Sequence, residues 1–195
     1  MKLENILEYE VYKGYVEITG CDESVEGEII IPEKIQGLPV TKIGDNALFN
    51  CSSLKNVVIP DHVTEIGSCA FFCCSALESV IIPDCVTKIG NNAFSDCSAL
   101  RSVTLPAHIT DIRFNLFYGC HSLQSVLIPA HVTSIWGDAF SGCSSLRAVI
   151  IQNPDCEIEE DDNTISSTAV IYGYPNSTAQ AYAEEFNREF IALKY

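Results

Sequence analysis

Ten cysteines and four histidines are the residues of this chain best able to do chemistry. His62, Cys85, His108 and His131 recur at a fixed interval of 23 residues, and Cys156 lies near the next place. Imidazole and thiolate are the ligands zinc prefers. Cys51, Cys74, Cys97, Cys120 and Cys143 keep the same interval. Cys69 and Cys73 stand four residues apart, which on a helical turn would bring two thiols together as a reactive pair. Asp155, Glu157, Glu159, Glu160, Asp161 and Asp162 supply the hard oxygen ligands calcium takes, although without the spaced Asp and Gly of a known calcium loop. No Walker loop, GxGxxG or GxSxG elbow occurs, and the acidic residues offer no distinctive pair for glycoside hydrolysis. Catalysis is therefore not expected.

The interval itself explains most of these residues. VTEIGSCAFFCCSALESVIIPDC from Val63 and VTKIGNNAFSDCSALRSVTLPAH from Val86 align without a gap. Further units begin at Val40, Ile109 and Val132, so five units of 23 account for 115 residues. A fixed period of this size marks a solenoid, in which each unit buries its apolar face against its neighbours.

Each column then has a physical role. Leu54, Leu77, Leu100, Leu123 and Leu146 open an apolar frame. Val57/Val80/Val103/Val126/Val149 and Ile59/Ile82/Leu105/Ile128/Ile151 follow with the alternation of a strand. Pro60, Pro83, Pro106 and Pro129 end that strand, since proline cannot donate to a ladder. Val63/Val86/Ile109/Val132 and Ile66/Ile89/Ile112/Ile135 form the next inward set. The return leg pairs Ala47/Ala70/Ala93/Leu116/Ala139 with Leu48/Phe71/Phe94/Phe117/Phe140 and ends at the cysteine column. That spacing predicts a short helical turn with the thiol packed inside as a small apolar filler. Stacking predicts one parallel sheet with neighbouring strands about 4.8 Å apart. On such a ladder His62, Cys85, His108 and His131 cannot converge on one tetrahedral ion, whose bonds are about 2.0–2.3 Å. They read as an exposed turn column, and no metal or other cofactor is assigned.

The pattern L-x-x-V-x-I-P-x-x-V-T-x-I-G-x-x-A-F-x-x-C resembles the BspA-like leucine-rich repeat family. The resemblance implies an α/β repeat fold: a right-handed leucine-rich-repeat solenoid with a parallel β-sheet on one face and short helical turns on the other. Residues 1–39 resemble that family's N-terminal β cap. Residues 40–154 carry the five repeats, and 155–195 resemble a C-terminal cap of strand, helix and strand. It further implies a non-catalytic protein-binding module, a bacterial surface or secreted adhesion protein that binds through the exposed sheet face. Ser177 is placed to cap the helix of the last unit.

The candidate binding residues are Val58, Ile81, Thr104, Leu127 and Ile150. They form an outward column between two inward ones, and Ile30 extends it. An aligned apolar stripe on a water-facing sheet marks an interaction site; β-propensity of exposed branched residues is the plainer reading. Lys55, Glu78, Arg101, Gln124 and Arg147 give it a mixed polar rim. Arg113 and Trp136 replace the glycine that other units keep at Gly44, Gly67 and Gly90. In adjacent coils they are expected to stack as a cation–π pair, unless the site simply tolerates drift.

Composition bounds the partners. The chain has 195 residues, 47% apolar and 19% charged, and its formal charge is 11 − 26 = −15. That charge opposes nucleic acid and anionic lipid. No apolar run approaches the roughly 20 residues of a membrane helix. The expected partner is a protein, with self-association through the stripe as one form of it. Met1 to Tyr9 has no apolar h-region, so no signal peptide is read there. Together with the many thiols this leaves a cytoplasmic protein–protein interaction scaffold as the alternative to a surface or secreted protein.

Overall fold

The computed structural model describes residues 6–194, so the first five residues of the segment read for a signal lie outside it. The chain opens on an antiparallel hairpin, β1 (Leu7–Tyr12) and β2 (Tyr15–Cys21), turned at Gly14. β3 (Glu26–Ile30), β4 (Lys34–Ile35) and β5 (Leu38–Ile43) follow. Each later coil then contributes a strand from its L-x-x-V-x-I segment and a two-residue strand from its T-x-I segment. These are β6 (Ser53–Val58) and β7 (Glu65–Ile66), β8 (Ser79–Ile81) and β9 (Lys88–Ile89), and β10 (Ser102–Thr104) and β11 (Asp111–Ile112). After them come β12 (Ser125–Ile128) and β13 (Ser134–Ile135), then β14 (Ala148–Ile151) and β15 (Glu157–Ile158). The chain closes with β16 (Val170–Gly173), helix α1 (Thr178–Glu185) and β17 (Phe190–Ala192). Among the described residues no helix is long and apolar enough to cross a membrane.

The coils stack through two sheet faces, not the one expected. β3, β6, β8 and β10 pair in parallel, as do β12, β14, β16 and β17. On the other face β2, β5, β7 and β9 pair in parallel, as do β11, β13 and β15. The proline that ends the first strand turns the chain, with Val63, Val86 and Val132 N–H bonded to Pro60, Pro83 and Pro129 O. The T-x-I segment can then meet its neighbours one coil away. Thr64, Thr87 and Thr133 each donate both backbone N–H and side-chain Oγ1 to the carbonyl of the threonine 23 residues earlier.

The return leg also departs from expectation. It is a run of turns, and α1 is the only α-helix among the described residues. Asn46/Cys69/Asn92/Asn115/Asp138 and Asn50/Cys73/Asp96/Gly119/Gly142 all have φ between 53° and 72°. A left-handed residue at every fourth position cannot propagate a helix, and Asn, Asp and Gly are the types that adopt it most readily. Cys69 and Cys73 occupy these two turn columns in their coil.

All inward columns close into a single core. Phe71, Phe94, Phe117 and Phe140 stack face to face down the coil, with centroids 5.0–5.8 Å apart. The five cysteines of the repeat column are fully buried. They are more than fillers, because each thiol from Cys74 onward donates to a carbonyl 26 residues earlier. The acceptors are Leu48, Phe71, Phe94 and Phe117, at 3.1–3.2 Å.

One joint differs from the rest. Between the 23-residue unit that holds β9 and β10 and the next, which holds β11 and β12, neither sheet carries a paired ladder: β9 is unpaired with β11, and β10 with β12. At the glycine column the approach is close, and a Cβ on Gly90 would lie 2.4 Å from Ser68 N. Gly67 and Gly90 N–H therefore reach Ile43 and Ile66 O. Arg113 N–H makes no matching bond to Ile89, whereas Trp136, which also carries a side chain in this column, does reach Ile112 O at 2.8 Å. Val103 beside this joint is only partly buried, unlike its column mates. The turns still hold across it, through Asn92, Phe94 and Asp96 N–H to Phe114, Leu116 and Tyr118 O.

Candidate functional site

The stripe is built by strand alternation. Val57 and Val80 point inward and are buried, so their successors Val58 and Ile81 must point out. Val58 is 45% exposed, Ile81 74% and Leu127 48%, with Thr104 also exposed and Ile150 half-buried. Pairing places Ile30 beside Val58, Ile81 beside Thr104 and Leu127 beside Ile150. The same ladder continues from Ile150 to Tyr172 and on to Ile191, which is 41% exposed. Tyr172 and Ile191 escaped sequence reasoning because they lie beyond the 23-residue period. The alternation inside VIYG and FIA was the available signal. Lys55, Glu78, Arg101, Gln124 and Arg147 are all exposed beside the stripe.

Arg113 and Trp136 do not form the expected cation–π pair. The Trp136 ring packs on Phe114, with centroids 5.2 Å apart and planes tilted by 41°. Arg113 instead lines a separate groove with His108, Lys88 and Glu65. The cause is a one-residue offset: the residue after Arg113, not Arg113 itself, projects towards the next coil's indole.

The His/Cys column stays open. His62, His108 and His131 are exposed, and the His108 and His131 rings lie 6.3 Å apart. Cys85 Sγ donates to Asp61 O and Val63 O, so its thiol is turned to the preceding coil. Among the described residues no three His, Cys, Asp or Glu side chains converge as metal ligands. The acidic run is also dispersed. Glu159 accepts from Gly137 N–H at 2.8 Å, Asp161 accepts from Asn163 N–H, and Asp162 pairs with Arg188 at 2.6 Å.

All ten cysteines are unpaired thiols. Burial raises the pKa of Cys97 and Cys120 well above the ordinary thiol value, and that of Cys143 and Cys156 to about 12. Cys69 and Cys73 are partly exposed, with pKa values also raised first by burial. A raised pKa removes the thiolate that reactive cysteines need.

The repeated part of the chain matches one known family model. The BspA type leucine rich repeat region matches six copies over residues 27–161. This chain belongs to that family. A leucine-rich repeat protein of T. pallidum, TpLRR, has a similar structure, with TM-score 0.73 at 23% identity over 97% of this chain and 98% of that one. A leucine-rich repeat protein of Eubacterium ventriosum ATCC 27560 gives TM-score 0.63 at 21% identity, over 100% of this chain and 52% of that one. The pneumococcal vaccine antigen PcpA gives 0.57 at 18%, over 88% and 56%. At these identities the likeness is one of fold. No curated protein matches the chain. Leucine-rich repeat proteins are in general protein-interaction modules.

Proposed function

We propose that this leucine-rich repeat protein is a non-catalytic protein-binding module whose partner docks on the outward column Val58, Ile81, Thr104, Leu127 and Ile150. The observation that carries this is the set of large apolar side chains Ile30, Val58, Ile81, Leu127 and Ile191, left 41–74% exposed in one outward column of a sheet face. Contiguous exposed apolar surface with a charged rim is the composition of an interface core and its border. Through its family the module is proposed to act at a bacterial surface or as a secreted adhesion protein. A second reading, a scaffold in the reducing cytoplasm, is favoured by the ten unpaired cysteines, since exported proteins usually pair theirs.

The test is Ile81→Ser combined with Leu127→Ser. The double variant is expected to lose partner binding and any concentration-dependent self-association in analytical ultracentrifugation, while its urea midpoint stays close to that of the parent. Binding and association unchanged from the parent would overturn the reading.

A further inference from the structure

A groove of about 650 Å³ runs between α1 and the end of the second sheet face, away from the stripe. Its exposed aromatic wall is the Phe114–Trp136 pair, 40% and 36% exposed. Ile135 and Ile158 line it between that wall and the helix. Four glutamates, Glu157, Glu159, Glu160 and Glu185, also line it, and no lysine or arginine does. Glu159 is engaged by Gly137 N–H, whereas Glu157, Glu160 and Glu185 enter no ion pair among the described residues. Two solvent-facing rings would ordinarily be buried, and three carboxylates in one groove repel one another without a countercharge.

One chemistry satisfies both features. A planar cation stacks on aromatic faces and offers a fork of N–H donors to carboxylates. An ammonium is a compact, strongly hydrated point charge and uses such a wall less well. We propose that this groove binds an arginine side chain from a basic segment of a protein partner. The guanidinium lies against Trp136 and Phe114 and is held by Glu157, Glu160 and Glu185. The chain's net charge of −15 favours the approach of such a segment. The site is independent of the apolar stripe and stands if the stripe binds nothing.

Trp136 is the only tryptophan in the chain and reports directly on the groove. Titration of the full chain with the tripeptide Arg-Arg-Arg is expected to give a saturable change in its emission. Glu157→Gln with Glu160→Gln should weaken that binding at least about tenfold, the loss of roughly one charge-assisted hydrogen bond. Glu26→Gln with Glu28→Gln removes the same charge from exposed positions on β3 and should leave the affinity unchanged. Calorimetry of Trp136→Leu, which lacks the reporter, should show the same direction of loss as the groove glutamates. No saturable change, or equal weakening by both glutamate pairs, would overturn the site as general attraction to an acidic protein. Lys-Lys-Lys binding as tightly as Arg-Arg-Arg would overturn the assignment of arginine.

Discussion

Two outward columns run along this solenoid, one on each sheet face. On the first, Ile30, Val58, Ile81, Thr104, Leu127, Ile150, Tyr172 and Ile191 follow one another, almost all apolar. On the second, strand pairing sets Lys42 beside Glu65 and Glu65 beside Lys88, then Asp111 beside Ser134 and Ser134 beside Glu157. Both columns cover the same core, each backed by its own row of buried residues. The second is finished as an ordinary water-facing sheet. Opposite charges alternate across strands, and Lys42 Nζ lies 3.4 Å from Glu17 and 3.9 Å from Glu65. The first is finished as though water were not its final neighbour. The second column also changes along its length. Its lysines lie in the N-terminal half, and its end at Glu157 is the acidic margin of the aromatic groove.

Four measurements would break or sharpen this contrast. Phe94→Ala removes a fully buried ring from the stack beneath both faces and should cost about 3–5 kcal/mol in urea unfolding. A loss below about 1 kcal/mol would mean the faces do not share that core. Next in size is thiol access. Ellman titration of native protein should leave Cys51, Cys74, Cys97, Cys120, Cys143 and Cys156 unreacted, with all ten thiols appearing in urea. Fewer than ten in urea would mean that some pair. The stripe double variant should change association but not folding, because Ile81 and Leu127 are already about half exposed or more. Smallest is Lys42→Gln, expected to cost under about 1 kcal/mol and less in high salt. Burial, the largest single influence on Lys42, disfavours its charge, but Glu65, Glu17 and Asp45 outweigh it and raise its pKa. Its contribution should therefore be complete below a pH of about 10.4, the unfolded value, and fade as pH rises through the higher folded one.

The inward columns were legible because a fixed period repeats each packing choice five times. Leu54 to Leu146, the Phe stack and the cysteines all fall inside as their spacing requires. Strand alternation likewise exposed Val58, Ile81 and Leu127. The second sheet was not legible, since T-x-I supplies only two paired residues per coil and its alternation is too short to read. The return leg misled because an apolar pair followed three residues later by Cys also fits a helix. The cue to turns was the recurrence of Asn, Asp and Gly at positions such as Asn46, Asn50, Asn92, Asp96 and Gly119. The Trp136–Phe114 pair depends on a neighbour one place along the coil, and the column logic that suggested Arg113 has no term for it. Thiol donation across 26 residues was equally hidden, because burial explains a cysteine without any hydrogen bond.

The joint at Arg113 has a mechanical meaning. In a solenoid pulled from its ends, load passes from coil to coil through the lateral ladders, and a stack yields where fewest of them act in parallel. Either side of Arg113 both sheets and the turns share that load. At the joint the turns, the backbone bonds from Ser122 and Gln124 N–H to Ser98 and Arg101 O, the Cys120 thiol bond to Phe94 and the Phe94–Phe117 contact carry it without paired strands. Tension applied through a tethered partner would open the molecule there first, parting it into two stacks that each keep their own sheets.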